Sequence, residues 1–326
     1  MIVSLQSTSF IRTTEYNLNK NRLVKIEQHQ SGDKFWDCSI DRFHERIRAF
    51  VKIEDGCDRF CSYCIIPKSR GRVRSKPLDT LKNEIEALAN GGIREIVLVG
   101  INLSAYGKGE DFNIVDAVKI CNENEKIKRI RLGSLEPDHL TDEVIEGLAS
   151  CEKLCPQFHI SLQSGCNKTL KSMNRHYTAE EYKALCTKLR ASFDDASLTT
   201  DVMVGFNDET EADFNESLDF VKDIAFEKVH VFPYSERVGT AASKRGDNVS
   251  KQEKEHRAAV MIEETEKIRH NYLKSLVNTS KKVLFENEIK PGIYQGYTKS
   301  YLPVRMKYDR NIVGEELEVK ITNYCD

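Results

Sequence analysis

Between about residues 48 and 235, short apolar runs of strand length alternate with stretches of helical period, and this alternation restricts the fold more than any other feature. The runs are FVKIED, REIVLVG, KRIRLGS, QFHISLQSG, SLTTDVMVGF and EKVHVFPYS, giving six β/α repeats. In the first, Val51 and Ile53 share one face and Phe50 and Lys52 the other, as in a strand. Between the runs, Leu81, Ile85 and Leu88 recur at i, i+4 and i+7 after Asp79, and Gly91 and Gly92 close that helix. Thr178 and Glu181 have capping-box spacing, and Phe214, Leu218 and Val221 stripe a further helix. Such alternation predicts a parallel sheet covered by helices, either doubly wound or an incomplete α/β barrel. In both, chemistry belongs at the C-terminal ends of the strands.

The flanks differ. Residues 1–45 are polar without a persistent apolar period and read as a linker or the remnant of a preceding domain. The repeats and a long charged helix, opened by Ser250 and Glu253 at capping-box spacing, give a domain over residues 46–277. Residues 278–326 alternate as strands in KKVLFENEI, YQGYTKSYLPVRMK and EELEVKIT, a small all-β module with little room for a core. A binding accessory is expected there.

At 40% hydrophobic and 31% charged, the chain of 326 residues can bury a core and is expected to be soluble. A net charge of −2 makes any nucleic-acid face a local one. No run approaches the roughly 18 apolar residues of a membrane span, and MIVSLQSTSFIRTTEY lacks the pattern of a signal peptide. The default compartment is the cytoplasm, where disulfides are rare, so the ten cysteines need another explanation. Core packing covers Cys121, Cys186 and Cys325; Cys151, Cys155 and Cys166 read as buried thiols or a second metal site.

GCDRFCSYCIIP sets Cys57, Cys61 and Cys64 just past the first strand. Structural zinc needs a fourth ligand, and the nearest, Cys38 and His44, lie in the leader. A disulfide would leave one thiol over. An iron–sulfur cluster held by three thiolates would keep one iron open to a non-protein ligand. Spacing alone does not separate cluster from zinc.

Cys57-x3-Cys61-x2-Cys64, with Tyr63 before the last cysteine, resembles the radical S-adenosylmethionine signature. DGCDRFCSYCIIPKSRGRVRS is similar to the methylthiotransferases, which replace C–H by C–S–CH3. RIRLGSLEP, FHISLQSGCNKTLKSMNRHY and HVFPYSERVGTAA resemble the branch that converts threonylcarbamoyladenosine beside the tRNA anticodon to its 2-methylthio form. The last module resembles the RNA-binding TRAM domain. The resemblance implies a partial (β/α)6 barrel followed by a small TRAM-like β-barrel, and a 4Fe–4S cluster with S-adenosylmethionine as cofactors. It also implies tRNA and an electron donor such as flavodoxin or ferredoxin as partners.

By the same resemblance, Cys57, Cys61 and Cys64 would ligate the cluster and carry catalysis. Tyr63 would flank the adenine and Gly100 the methionine amino group; Ser134 and Glu136 would contact the ribose. Gln163 and Ser164 would complete the pocket, with Asp201 and Met203 as further candidates. Lys68, Arg70, Arg72, Arg74 and Lys76 would meet phosphate. In the terminal module Lys299, Arg305, Tyr294, Tyr297 and Tyr301 combine cations with stacking surfaces, some tyrosines filling the core. GFNDET departs from the family's Gly-Phe-Pro-Gly-Glu-Thr, with Asn207 and Asp208 at residues that tolerate a left-handed turn.

Family members carry a preceding domain with three further cysteines for an auxiliary cluster. Only Cys38 precedes Cys57 here, so this chain is expected to bind one cluster and cleave the cofactor without completing sulfur transfer. The alternatives are a ribosomal-protein methylthiotransferase and a non-catalytic, metal-containing RNA-binding protein.

Overall fold

The computed structural model describes residues 11–16, 22–26, 32–37 and 47–324. Cys38, His44 and Cys325 lie outside the described residues. The leader is not irregular throughout, as its polarity predicts: β1 (Ile11–Tyr16) and β2 (Arg22–Ile26) pair antiparallel. Both are rich in β-branched residues, a strand signal that an apolar period does not register.

Six strands form the main sheet: β3 (Arg48–Lys52), β4 (Glu95–Val99), β5 (Arg129–Leu132), β6 (Gln157–His159), β7 (Ser197–Val204) and β8 (Lys228–Pro233). Each falls on one of the six apolar runs. β3–β4–β5 and β6–β7–β8 pair in parallel, and bridges Ile130–Leu154 and Leu135–Ile160 continue β5 onto β6. Spatial order therefore follows chain order without the reversal of a doubly wound sheet. Among the described residues no pairing joins β8 to β3, so the barrel is partial.

The outer layer is α1 (Leu78–Asn90), α2 (Ile114–Glu123), α3 (Asp142–Ala149), α4 (Ala179–Ser192) and α5 (Glu211–Ile224). Ala49, Val51, Ile53, Ile96, Leu98 and Ile130 form one core with Leu81, Ile85, Leu88, Phe214 and Val221. The Thr178 capping box closes on both sides. At the start of α6 (Lys251–Ser275), Ser250 accepts from the Glu253 N–H, but the Glu253 carboxylate pairs with Arg257 instead of returning to the cap.

Alternate residues face inwards, and there the sheet is not apolar as its runs predict. Arg48, Glu95, Arg129, Arg131, Gln157, His159 and Asp201 occupy the inner positions, because an open barrel leaves a lumen rather than a second packed layer.

The terminal module is an antiparallel sheet of β9 (Ser280–Lys290), β10 (Ile293–Thr298), β11 (Pro303–Lys307) and β12 (Glu316–Lys320), in the order β11–β10–β9–β12. Val283, Phe285, Tyr294 and Ile312 form its small core. It closes the floor of the barrel at the N-terminal ends of the strands. Arg129, fully buried, donates to the carbonyls of Tyr297 (2.6 Å) and Lys282 (3.1 Å) and pairs with Glu316 at 2.9 Å. Arg131 donates to the carbonyls of Thr298 and Lys299, both at 2.8 Å, and pairs with buried Glu95. Tyr297 and Tyr301 stack on each other, with the Arg48 guanidinium 5.0 Å from each ring. These two tyrosines face the barrel and the arginines of its floor, while Tyr294 fills the module's core, as expected of some of the three. No helix of the described residues is long and apolar enough to cross a membrane.

Candidate active site

At the opposite end of the barrel, residues 56–73 loop out between two short strands, Glu54–Asp55 and Arg74–Ser75, that pair at its base. Gly56 makes the entry with φ +93°; a Cβ there would lie 2.0 Å from the Arg72 carbonyl oxygen. The loop is tied down at Ser62, whose N–H donates to the Met173 carbonyl (2.9 Å) and whose carbonyl accepts from the Ala242 N–H (2.7 Å).

Cys57 and Cys64 are half-buried and Cys61 is buried. Burial pushes the Cys57 thiol up to about 11; its neighbours Cys61, Glu136 and Cys64 add to this, while the Arg59 N–H opposes it. Burial also raises Cys64, against the N–H of Ile66. Held as thiolates, the three would need a cationic centre beside them to offset this burial and mutual repulsion. A cluster takes one thiolate per iron, so its ligands stand further apart than those of a single ion. Among the described residues no three Cys, His, Asp or Glu side chains gather closely enough for one ion. Cys151, Cys155 and Cys166 are buried free thiols, Cys151 beside the Gly147 carbonyl and Cys166 beside Asp213 and Glu216.

Around the loop lies an ion-pair network that sequence reasoning missed. Arg175 pairs with Glu136 and donates to Cys61 Sγ at 3.2 Å. Arg59 pairs with Asp138 at 2.6 Å and approaches Glu136 at 3.5 Å. Arg175 stands in view within SMNRHY, but nothing local marks its partner, 114 residues away. Glu54 was missed too. Its buried carboxylate accepts the Asn102 N–H at 2.7 Å, and burial raises its pKa to about 8.

The remaining expected residues divide. Gly100 is packed against Glu54, whose Oε2 would lie 2.6 Å from a Cβ at this position; glycine lets the loop after β4 close on that carboxylate. Tyr63 packs beside Met173, Met203, Phe206 and Tyr234 beneath the cysteine loop. Gln163 is buried at φ +69°, a sparsely populated conformation, and its backbone pairs with β7. Ser134 is exposed in the lumen, and Glu136 is engaged by Arg175. Ser164 departs from expectation: its hydroxyl faces Ser217 of α5 and accepts the Cys166 N–H, so it joins the strand to the outer layer. In GFNDET the turn survives, with Asp208 at φ +62° and the Asn207 amide donating to Ala242 and Gly246 carbonyls.

Of the basic run, Lys68 and Arg72 are exposed and Arg70 half-buried. Arg74 is a correction: it donates to the Arg70 and Arg72 carbonyls and lies 3.5 Å from Asp55. Lys76 is another, buried against Glu84 and Asp37. Both brace the base of the loop. Lys299 and exposed Arg305 lie on the floor module; Arg305 lines a cavity of about 570 Å³ between β11, β12 and the end of α6. That cavity, larger than the lumen, is remote from the cysteines.

The lumen itself holds about 460 Å³, lined by Phe50, Ser134, Gln157, His159, Thr199 and His230 among others. His159 contacts Thr199 Oγ1 (3.0 Å) and the Asp201 carboxylate (3.1 Å), and its ring stands 5.8 Å from that of His230.

The radical SAM superfamily model matches residues 51–221, the cysteine loop and five of the six strands. The chain is 37% identical over 327 aligned residues to threonylcarbamoyladenosine tRNA methylthiotransferase MtaB of Thermotoga maritima, covering all of this chain and 74% of that protein. The chain belongs to the radical SAM methylthiotransferase family. It is also 36% identical to a tRNA-2-methylthio-N(6)-dimethylallyladenosine synthase of Natranaerobius thermophilus, over 96% of this chain and 70% of that protein. Coproporphyrinogen III oxidase of Escherichia coli, a radical SAM enzyme, shares the fold at TM-score 0.54 and 16% identity, over 80% of this chain and 68% of that one.

The family's cofactors are a 4Fe–4S cluster and S-adenosylmethionine, and the donor set of Cys57, Cys61 and Cys64 fits the cluster. Bound together they supply one-electron cleavage of a sulfonium. The chain's own part is to set three thiols at the barrel mouth, one buried and two half-buried, to place a cation beside the buried one, and to enclose a lumen below.

Proposed function

We propose that this enzyme serves the methylthiolation of tRNA at an adenosine that already carries a threonylcarbamoyl group, next to the anticodon, and that this chain by itself cleaves the cofactor there without completing sulfur transfer. The observation that favours this choice is the set of polar side chains inside the barrel: Gln157, His159, Thr199 and His230 line its cavity, and Asp201 lies against His159. A threonylcarbamoyl substituent brings a carboxylate, a hydroxyl and amides, which need hydrogen-bonding partners when removed from water. A dimethylallyl substituent offers none and would draw nothing from the donors and acceptors of the lumen. Lys68 and Arg72 on the rim offer cations to the phosphates of the anticodon loop. A small electron carrier of the flavodoxin or ferredoxin type would reduce the cluster, and the cytoplasm, where tRNA is found, is the expected setting.

The test supplies reconstituted, reduced protein and S-adenosylmethionine with tRNA carrying threonylcarbamoyladenosine, dimethylallyladenosine or unmodified adenosine. Release of 5′-deoxyadenosine above the RNA-free level is expected with the first tRNA only. Stimulation by the dimethylallyl form, or by a ribosomal protein instead of tRNA, would overturn the substrate assignment.

A further inference from the structure

The three thiols do not receive equivalent hydrogen bonds. Cys57 is approached by the backbone N–H of Arg59 and Cys64 by that of Ile66, both neutral donors supplied by the loop itself. Cys61, the buried one, is approached by a guanidinium from another part of the fold, with Arg175 Nη1 at 3.2 Å from Sγ.

Arg175 is held for that contact. Its Nε donates to Tyr177 Oη at 3.0 Å. Nη2 donates to Glu136 Oε2 and to the Ser161 carbonyl (3.3 Å), and Nη1 is shared between Cys61 and Glu136 Oε1 (3.4 Å). All five N–H groups of the fork thus have acceptors. The side chain is 2% exposed, so water does not screen its charge from the sulfur. Tyr177 is fixed in turn by donating to the carbonyls of Ser161 and Leu162.

We propose that Arg175 sets the reduction potential of the cluster through its charged hydrogen bond to Cys61, with Glu136 as the opposing charge. Adding one electron to a thiolate-ligated cluster makes it more negative. A fixed cation at a ligand sulfur stabilises that reduced state, and hydrogen bonds to the sulfurs act in the same sense. The carboxylate behind the guanidinium moderates the effect. Arg175 is therefore a tuning residue for the electron-accepting step. The inference rests on the cluster and is independent of which RNA is the substrate.

The experiment is a potentiometric titration of the full chain, reconstituted anaerobically with iron and sulfide and followed by electron paramagnetic resonance of the reduced cluster, without RNA or S-adenosylmethionine. Arg175→Met should make reduction about tenfold less favourable, a downward shift of about 59 mV for a one-electron couple. Glu136→Gln should shift the potential upwards, because it removes the opposing charge and leaves the cation. Arg175→Lys should fall between wild type and Arg175→Met. The opposite signs are decisive, since both variants break the same ion pair and a merely structural role would move them together. If Arg175→Met does not load a cluster, Glu136→Gln decides alone. An unchanged or lowered potential in Glu136→Gln, or an unchanged one in a loaded Arg175→Met, overturns the proposal.

Discussion

Both ends of the barrel are built on buried arginines, yet they are used in different ways. At the floor, Arg129 and Arg131 direct their donors to main-chain carbonyls of the terminal module and to Glu316 and Glu95. At the mouth, Arg175 turns one donor to a thiol and shares the rest of its fork among Glu136, Tyr177 and the Ser161 carbonyl. A guanidinium aimed at a thiol is free to serve a group bound there, whereas one spent on main-chain carbonyls is structural. The same residue type thus seals one end and prepares the other.

Removing one group from each end breaks the comparison most severely. Cys61→Ala should abolish 5′-deoxyadenosine formation and strip iron from the reconstituted protein, with the fold retained. Iron analysis with chromatography of the nucleoside checks it, and retained activity would show that the triad is not the cluster site. Arg131→Ala at the floor should leave buried Glu95 with a weakened set of partners and two module carbonyls unpaired. A loss of roughly 3–5 kcal/mol in urea unfolding is expected, with the visible spectrum of the cluster unchanged. Disappearance of the cluster in that variant would mean that the two ends are not independent.

What the sequence disclosed follows the range of the interactions. Strands and helices came from periods of a few residues, and all six barrel strands lie on the six apolar runs. The cysteines were legible because their spacing is itself local. The run YQGYTKSYLPVRMK reads as one strand but breaks into two at a turn where Tyr301 has φ +68°, which nothing in its composition signals. The partners of Arg175, Arg129 and Glu54 were illegible for a different reason: they join segments 39 to 187 residues apart, brought together only by the curl of the barrel and the docking of the terminal module. Arg74 shows the opposite error, a local charge run that reads as surface although its donors turn inwards.

Glu54 sharpens the picture of the mouth at an intermediate size. Burial raises its pKa to about 8, with Asp55 adding to the shift. The folded chain therefore keeps a proton that the unfolded chain gives up near the ordinary carboxylate value. Stability from this group is complete below that value and is lost as pH rises through about 8. Glu54→Gln preserves an acceptor for the Asn102 N–H and removes the proton. It should match wild type near pH 4.5 and exceed it by roughly 3 kcal/mol at pH 8. Urea unfolding across this range checks it, and a variant that parallels wild type at every pH would refute the buried, protonated carboxyl.

The smallest effect asks whether one RNA reaches both ends. Arg72 is exposed on the cysteine loop and Arg305 is exposed on the floor module, so a single bound RNA touching both must extend along the barrel. Taking one cation away from a phosphate should reduce the slope of log affinity against log salt by about 1, with little change in stability. Arg72→Ala and Arg305→Ala should then each lower the slope by about 1, and the double variant by about 2. Arg74→Ala serves as the contrast: with its donors on the loop's own carbonyls, it should destabilise the protein and leave the slope alone. If Arg72→Ala lowers the slope and Arg305→Ala does not, the RNA is gripped at the mouth only. The terminal module would then act chiefly as the floor that its buried arginine contacts make it.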